Sequence, residues 1–98
     1  MLAFGELLLA NRDQLLDIMQ TETGKARVSA FEELADAAMT ARYYAHSANS
    51  HLRQRRRQGA IPFLTSTRER FVPKGVVGII APWNYPLTLA VSDAIPAL

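Results

Sequence analysis

The sequence of 98 residues contains no cysteine. A chain without cysteine forms no disulfide bonds, holds no thiolate metal site and supplies no cysteine nucleophile. Its two histidines, His46 and His51, have no third metal-ligating residue in view, so we predict that the chain holds no metal ion. An apolar fraction of 49% is typical of a globular protein, and the length allows one domain at most.

The sequence also lacks the segments that carry proteins into or across membranes. The opening stretch, MLAFGELLLANRDQ, has no basic residues before its apolar part, and Glu6 interrupts that part, so it does not resemble a secretory signal. The apolar run 76–98 contains three prolines and the polar residues Asn84 and Asp93, which lipid would leave without partners. We therefore predict a soluble, cytoplasmic protein without a membrane partner.

Basic residues are concentrated in the middle of the sequence. Residues 1–51 carry four basic and seven acidic side chains, whereas residues 52–75 carry seven basic side chains and one acidic one. The clustered arginines are Arg53, Arg55, Arg56 and Arg57. They could serve a stand-alone helical module that binds nucleic acid or a partner protein through a basic patch. Electrostatic binding to nucleic acid requires a wider patch, so a solvated helix end that pairs with acidic groups is the simpler interpretation. We predict no nucleic-acid partner and keep the binding module as the alternative function.

Two long helices are predicted within residues 1–58. Gly24 is a suitable C-terminal stop for the first helix, because glycine readily adopts a left-handed backbone. The second helix is predicted from about Val28 to about Leu52, and its alanine-rich stripe would let a neighbouring element approach closely. The predicted apolar face of the first helix is Phe4, Leu7, Leu8, Leu15, Ile18 and Met19. That of the second is Phe31, Leu34, Ala35, Ala38, Ala41, Ala45, Ala48 and Leu52. The charged residues predicted to be solvated are Glu32, Glu33, Asp36 and Arg42.

The second half of the sequence is predicted to be extended before it returns to helix. Gly59 and Pro62 mark the change, and residues 59–75 are predicted to form a polar strand in a hairpin or at a sheet edge. The short, uncharged run GVVGII predicts a buried parallel strand. Pro86 favours the first turn of a new helix, where its missing N–H has no partner to lose. The predicted fold class is therefore α/β, with two helices, a polar strand and, over residues 76–98, the opening strand–helix unit of an incomplete nucleotide-binding sheet.

The stretch PKGVVGIIAPWNYPL, followed by PAL, resembles the NAD(P)-dependent aldehyde dehydrogenases. It matches the family pattern P-x-G-V-x-x-x-I-x-P-W-N-F/Y-P-L, in which proline, glycine, tryptophan and asparagine stand at fixed spacing. The ETGK segment and the alanine-rich helix after it are similar to that family's N-terminal region. The segment RRRQGAIPFLTSTRERFVPKGVVG is most similar to bacterial succinate-semialdehyde dehydrogenases.

The resemblance implies an oxidoreductase that converts a small aldehyde, such as succinate semialdehyde, to the carboxylate with NAD or NADP as cofactor. It implies a Rossmann-like cofactor domain. It also implies a homo-oligomer, either a dimer or a tetramer, with residues 65–71 in an arm that contributes to assembly. The simpler interpretation of residues 65–71 is an ordinary edge strand. The family's nucleophilic cysteine, general-base glutamate and glycine-rich turn would lie beyond Leu98. We therefore expect residues 1–98 to be the N-terminal part of a longer enzyme and to be inactive alone.

The resemblance also implies roles for five consecutive residues. Asn84 would donate an amide N–H to the oxyanion that forms when a thiolate attacks the aldehyde. The residues that would line the cofactor cleft are Ile80, Ala81, Pro82, Trp83 and Asn84. Simpler interpretations stay open, with Asn84 as a cap of the following helix and Trp83 as a core residue.

Overall fold

The computed structural model of the chain describes residues 1–61 and 63–98. Pro62, one of the residues predicted to mark the change from helix to strand, lies outside the described residues. The elements in chain order are α1 (Leu2–Ala10), α2 (Arg12–Thr23), α3 (Arg27–His51), β1 (Arg55–Gln58), β2 (Ser66–Glu69) and α4 (Pro86–Ala97). The combination of helices and a small antiparallel sheet agrees with the predicted α/β class.

The first predicted helix is divided in two at Asn11. The Asn11 side chain donates a hydrogen bond to the carbonyl oxygen of Leu7 at 2.8 Å, which competes with continuation of the helix. The predicted stop at Gly24 is confirmed, because its φ of 69° lies in the left-handed region. The division changes which residues face the core: Leu16 is buried, whereas Ile18 from the predicted face is exposed. Phe4 and Leu7 of that predicted face are exposed as well.

Helix α3 is the centre of the packing, since α1, α2 and α4 all contact it. Its alanines allow close approach: a Cβ added at Gly5 of α1 would lie 3.6 Å from the Cβ of Ala41. The main core cluster consists of Leu8, Leu34, Ala37, Ala41, Val91 and Ile95. The predicted second helix is thus confirmed in extent and in part of its face. Phe31 and Leu52 of the predicted face are corrections, because both are exposed.

The arginine cluster forms a strand, not the end of a helix as predicted. β1 pairs antiparallel with β2, so the predicted hairpin is confirmed, with Arg56 opposite Arg68. In a continued helix, Arg53 and Arg57 would repel each other on one face. A strand sends neighbouring side chains to opposite faces, and there Arg57 Nε lies 2.6 Å from Glu69 Oε2.

Residues 76–80 form no strand, which corrects the prediction of a buried parallel strand. Val76 and Ile80 are 99% exposed. A parallel strand exists only beside a partner, and β1 and β2, the strands of the described residues, pair with each other. The helical half of the predicted strand–helix unit is confirmed, with Pro86 in the first turn of α4.

No helix within residues 1–61 and 63–98 is both long enough and apolar enough to cross a membrane.

Candidate functional site

The residues predicted to be functional lie together in the turn that leads into α4. We call residues 82–85 the Asn84 turn. Its Trp83 is 78% exposed and Asn84 is also exposed, so both present their side chains at the surface. Trp83 is therefore not part of the core formed by residues 1–61 and 63–98. Ile80 and Pro82 are exposed and Ala81 is half-buried, which leaves this whole segment accessible to a ligand or to further protein.

Lys25, which directly follows the left-handed Gly24, reaches across to the Asn84 turn. Its Nζ donates a hydrogen bond of 2.7 Å to the backbone carbonyl oxygen of Asn84. The same ammonium lies 4.6 Å from the centroid of the Tyr85 ring, within the range of a cation–π interaction. The loop between α2 and α3 thereby holds a turn that is 59 positions away in sequence.

Glu33 of α3 joins this contact to the first turn of α4. Its Oε1 accepts a hydrogen bond from Lys25 Nζ. Its Oε2 accepts from the backbone N–H groups of Leu87 at 3.1 Å and Thr88 at 3.2 Å. These N–H groups are donors that a helix leaves unsatisfied at its start, and the helix dipole favours a negative charge there. A carboxylate from a neighbouring helix therefore caps α4.

The ion pair is largely withdrawn from water. The side chain of Glu33 is 1% exposed and that of Lys25 is 12% exposed. Burial of a charge is unfavourable unless the charge is paired and hydrogen-bonded. Glu33 meets this condition with one ammonium and two backbone donors, and Thr88 Oγ1 adds a hydrogen bond to Asp36 beside it.

These contacts bear on the alternative interpretation of Asn84. Tyr85 is the N-cap residue of α4 and makes no side-chain cap hydrogen bond. Because Glu33 already accepts from the N–H groups of Leu87 and Thr88, a capping role for Asn84 has no support, and its amide is left at the surface.

The model of the aldehyde dehydrogenase family matches residues 1–98. The chain belongs to the aldehyde dehydrogenase family. No solved structure gives a significant match.

The curated relatives share one named activity. A Mycolicibacterium smegmatis protein named "Putative succinate-semialdehyde dehydrogenase, NADP(+)" is 52% identical over 95 residues, which cover 97% of this chain and 18% of the relative. A Mycobacterium tuberculosis protein named "Putative succinate-semialdehyde dehydrogenase, NADP(+), 2" is 46% identical, with the same coverage of both chains. "Succinate-semialdehyde dehydrogenase, NADP(+), 1" of Mycobacterium bovis is 36% identical over 98% of this chain and 21% of that protein. The chain thus spans about a fifth of the length of the relatives it matches.

Two residues that hold the Asn84 turn, Lys25 and Glu33, were not predicted from the sequence to do so. Glu33 was predicted to be solvated, and Lys25 was predicted to be a cation that suits the C-terminal end of the first helix, within the ETGK segment. A signal for Glu33 exists: it stands three residues after Ala30 and four before Ala37, so it shares a helix face with two buried alanines. Lys25 has no comparable local signal, because its partners are distant in sequence.

A second surface feature is formed by the arginine cluster. Ser50, Arg53, Gln54, Arg55, Arg56 and Arg57 line a polar groove of about 470 Å³. On the same hairpin, the hydrogen bond from Arg57 lowers the pKa of the Glu69 carboxyl below its ordinary value.

Proposed function

We propose that this chain is the N-terminal portion of an NAD- or NADP-dependent aldehyde dehydrogenase that oxidises succinate semialdehyde or a similar small aldehyde. The observation that carries the proposal is the Asn84 turn, because its amide is exposed while its backbone is held by a buried ion pair. Family membership and the shared naming of the relatives support the reaction class and the substrate.

Asn84 is the residue of this chain proposed to touch the reacting atoms. When a thiolate attacks the aldehyde carbon, the carbonyl oxygen becomes an oxyanion, which needs a fixed hydrogen-bond donor. The amide of Asn84 donates without changing its own protonation state. The thiolate belongs to the remainder of the enzyme, since this chain has no cysteine, and residues 1–98 alone are inactive.

The cofactor role rests on the segment before Asn84. Ile80 and Trp83 present exposed apolar side chains in the segment that leads to Asn84, and cofactor clefts are lined mainly by such side chains. Between Ile80 and Trp83, Pro82 restricts the backbone conformation through its fixed φ, and Ala81 adds only a small side chain. When bound, NAD or NADP accepts the hydride. Of the two cofactors, NADP is the better supported, because the names of the relatives include it.

The test uses a hybrid enzyme in which residues 1–98 replace the matching segment of the Mycolicibacterium smegmatis relative. We expect the hybrid enzyme to reduce NADP when succinate semialdehyde is supplied. Asn84→Ala should lower kcat by about 100- to 1,000-fold and change KM little, because it removes one oxyanion donor. The matched control is Asn49→Ala, at an exposed position of α3, which should leave kcat unchanged. Equal activities of the two folded variants would contradict the role of Asn84.

The proposed enzyme is a cytoplasmic homo-oligomer, dimer or tetramer, in which the β1–β2 hairpin contributes to assembly. An isolated two-stranded hairpin is marginally stable in water, and seven of the eight strand residues are exposed. These features favour a hairpin that is covered in the complete protein.

The arginine groove favours one other function, a basic binding module. The binding module would be supported if the purified chain bound DNA with a strong dependence on salt concentration. Substitution of the four clustered arginines by neutral residues should then abolish binding. Absence of such binding leaves the enzyme as the better proposal.

A further inference from the structure

We propose that Lys25 and Glu33 are positioning residues that fix the direction of the Asn84 amide. This inference rests on the proposed function of Asn84. It concerns a pair of charges whose hydrogen bonds go to the backbone of Asn84, Leu87 and Thr88, so that they act on the Asn84 side chain through the backbone.

The first step is how the turn is held. Within the described part of the chain, the tertiary hydrogen bonds to residues 82–88 come from Lys25, Glu33 and Asp36. Lys25 bonds the carbonyl of Asn84 itself, and Glu33 bonds the N–H groups three and four positions later. The Asn84 backbone is therefore fixed on its C-terminal side by one linked network.

The second step is how Lys25 is held in turn. Its backbone N–H donates to Thr23 Oγ1 at 3.4 Å, at the end of α2, and Gly24 supplies the left-handed turn that directs the chain there. Its side chain is bound at the same time by Glu33 Oε1. A flexible lysine is thus restrained at both ends, which makes it suitable for holding another group in place.

The third step is why this matters for a donor on a surface turn. A carbonyl held by an ammonium restrains the peptide plane after Asn84, which limits rotation about the backbone bonds of Asn84 and so the range of directions in which its side chain can leave the backbone. A displacement of about 1 Å at a reacting group can lower a rate by roughly 100-fold. Removal of Lys25 should therefore lower catalysis without altering any atom that touches substrate.

The kinetic test is a double-mutant cycle in the hybrid enzyme with Lys25→Met, Asn84→Ala and the double variant. We expect Lys25→Met to lower kcat by about 10- to 100-fold with little change in KM. In the double variant, the loss should equal that of Asn84→Ala alone, because a positioning residue has nothing left to position. Lys25→Arg keeps the charge and can donate hydrogen bonds both to Glu33 Oε1 and to the carbonyl oxygen of Asn84. This variant should therefore recover part of the rate. Lys74→Met is the matched control, because Lys74 is the other lysine and is exposed.

A second measurement needs no activity and uses the 98-residue chain itself. NMR order parameters of the Asn84 backbone and side-chain amides should fall in Lys25→Met and stay unchanged in Lys74→Met. Circular dichroism of each variant shows whether the helices are retained. If Lys25→Met loses its helices, Lys25→Gln, a shorter and neutral side chain, gives the comparison in its place: lowered Asn84 order supports the inference, and unchanged order overturns it.

The outcomes separate the inference from the function on which it rests. If Asn84→Ala lowers kcat but the effect of Lys25→Met is absent or purely additive, the positioning role is wrong and the function of Asn84 stands. If Asn84→Ala has no effect, the proposed function fails. The NMR comparison then decides the inference alone, since lower order in Lys25→Met supports it and unchanged order overturns it.

Discussion

Glu33 shows how a charged residue can belong to a helical core. Its neighbours on the helix face, Ala30 and Ala37, are fully buried, so the position itself faces inward. The carboxylate is stable there because Lys25 neutralises it and the start of α4 supplies two N–H donors. Glu33 joins three segments, the α2–α3 loop, α3 and α4, through specific hydrogen bonds. An apolar side chain at this position could only pack against them.

Replacement of Glu33 should therefore be far more costly than replacement of its neighbour. Glu33→Gln keeps the shape but leaves the ammonium of Lys25 without its counter-charge, so the free energy of unfolding should fall by about 3 kcal/mol. Glu32→Gln, the control on the exposed face, should change it by less than about 0.5 kcal/mol. Urea unfolding of the chain measures both values. Similar stabilities of the two variants would mean that the buried ion pair contributes little.

At the scale of elements, the β1–β2 hairpin separates its charges by face. Arg57 pairs with Glu69 on one face, whereas Arg56 stands opposite Arg68 on the other. Like charges that face each other across strands are unfavourable, whereas Glu69 is hydrogen-bonded by Arg57 and stands directly opposite Arg55, which makes the face with Glu69 the favourable one.

The Arg57–Glu69 pair predicts a specific titration. Arg57 lowers the pKa of Glu69, chiefly through its hydrogen bond, so the pair stabilises the hairpin at neutral pH. This contribution is lost in acid, as the pH falls through the lowered pKa. Arg57→Met should raise the pKa of Glu69 toward its ordinary value, as measured by carboxyl ¹³C NMR. Arg56→Met removes the same charge from the other face and should leave that pKa nearly unchanged; equal shifts would indicate a general charge effect.

At the scale of the whole molecule, a packed helical part continues into an uncovered apolar segment. The molecule is elongated, with extents of 62 × 23 × 21 Å. Val76, Val77, Ile80 and Trp83 are all exposed. A run of exposed apolar side chains of this kind is suited to packing against other protein.

Trp83 provides a direct test of this arrangement, because it is the sole tryptophan. Its exposure predicts that acrylamide quenches its fluorescence nearly as efficiently as that of a short tryptophan peptide. Near-UV circular dichroism should show a weak tryptophan signal for the same reason. Strong protection from the quencher in dilute chain would instead mean that residues 76–83 pack against the helices or against a second copy.

Local features of this protein follow from its sequence alone. The stop at Gly24, the extent of α3 and the start of α4 at Pro86 depend on backbone preferences of a few adjacent residues. The family was recognisable from the PWNYP pattern because fixed spacing survives in sequence, and the family model matches the whole chain.

The features that sequence patterns could not predict involve partners that are distant in sequence. The contact of Lys25 with Asn84 spans 59 positions, and that of Glu33 with Leu87 spans 54. Local pattern assigned Glu33 to solvent because a carboxylate is stable in the interior only when such distant donors surround it. The same holds for residues 76–80, whose β-branched pattern favours a strand that forms only where a neighbouring strand supplies its hydrogen bonds.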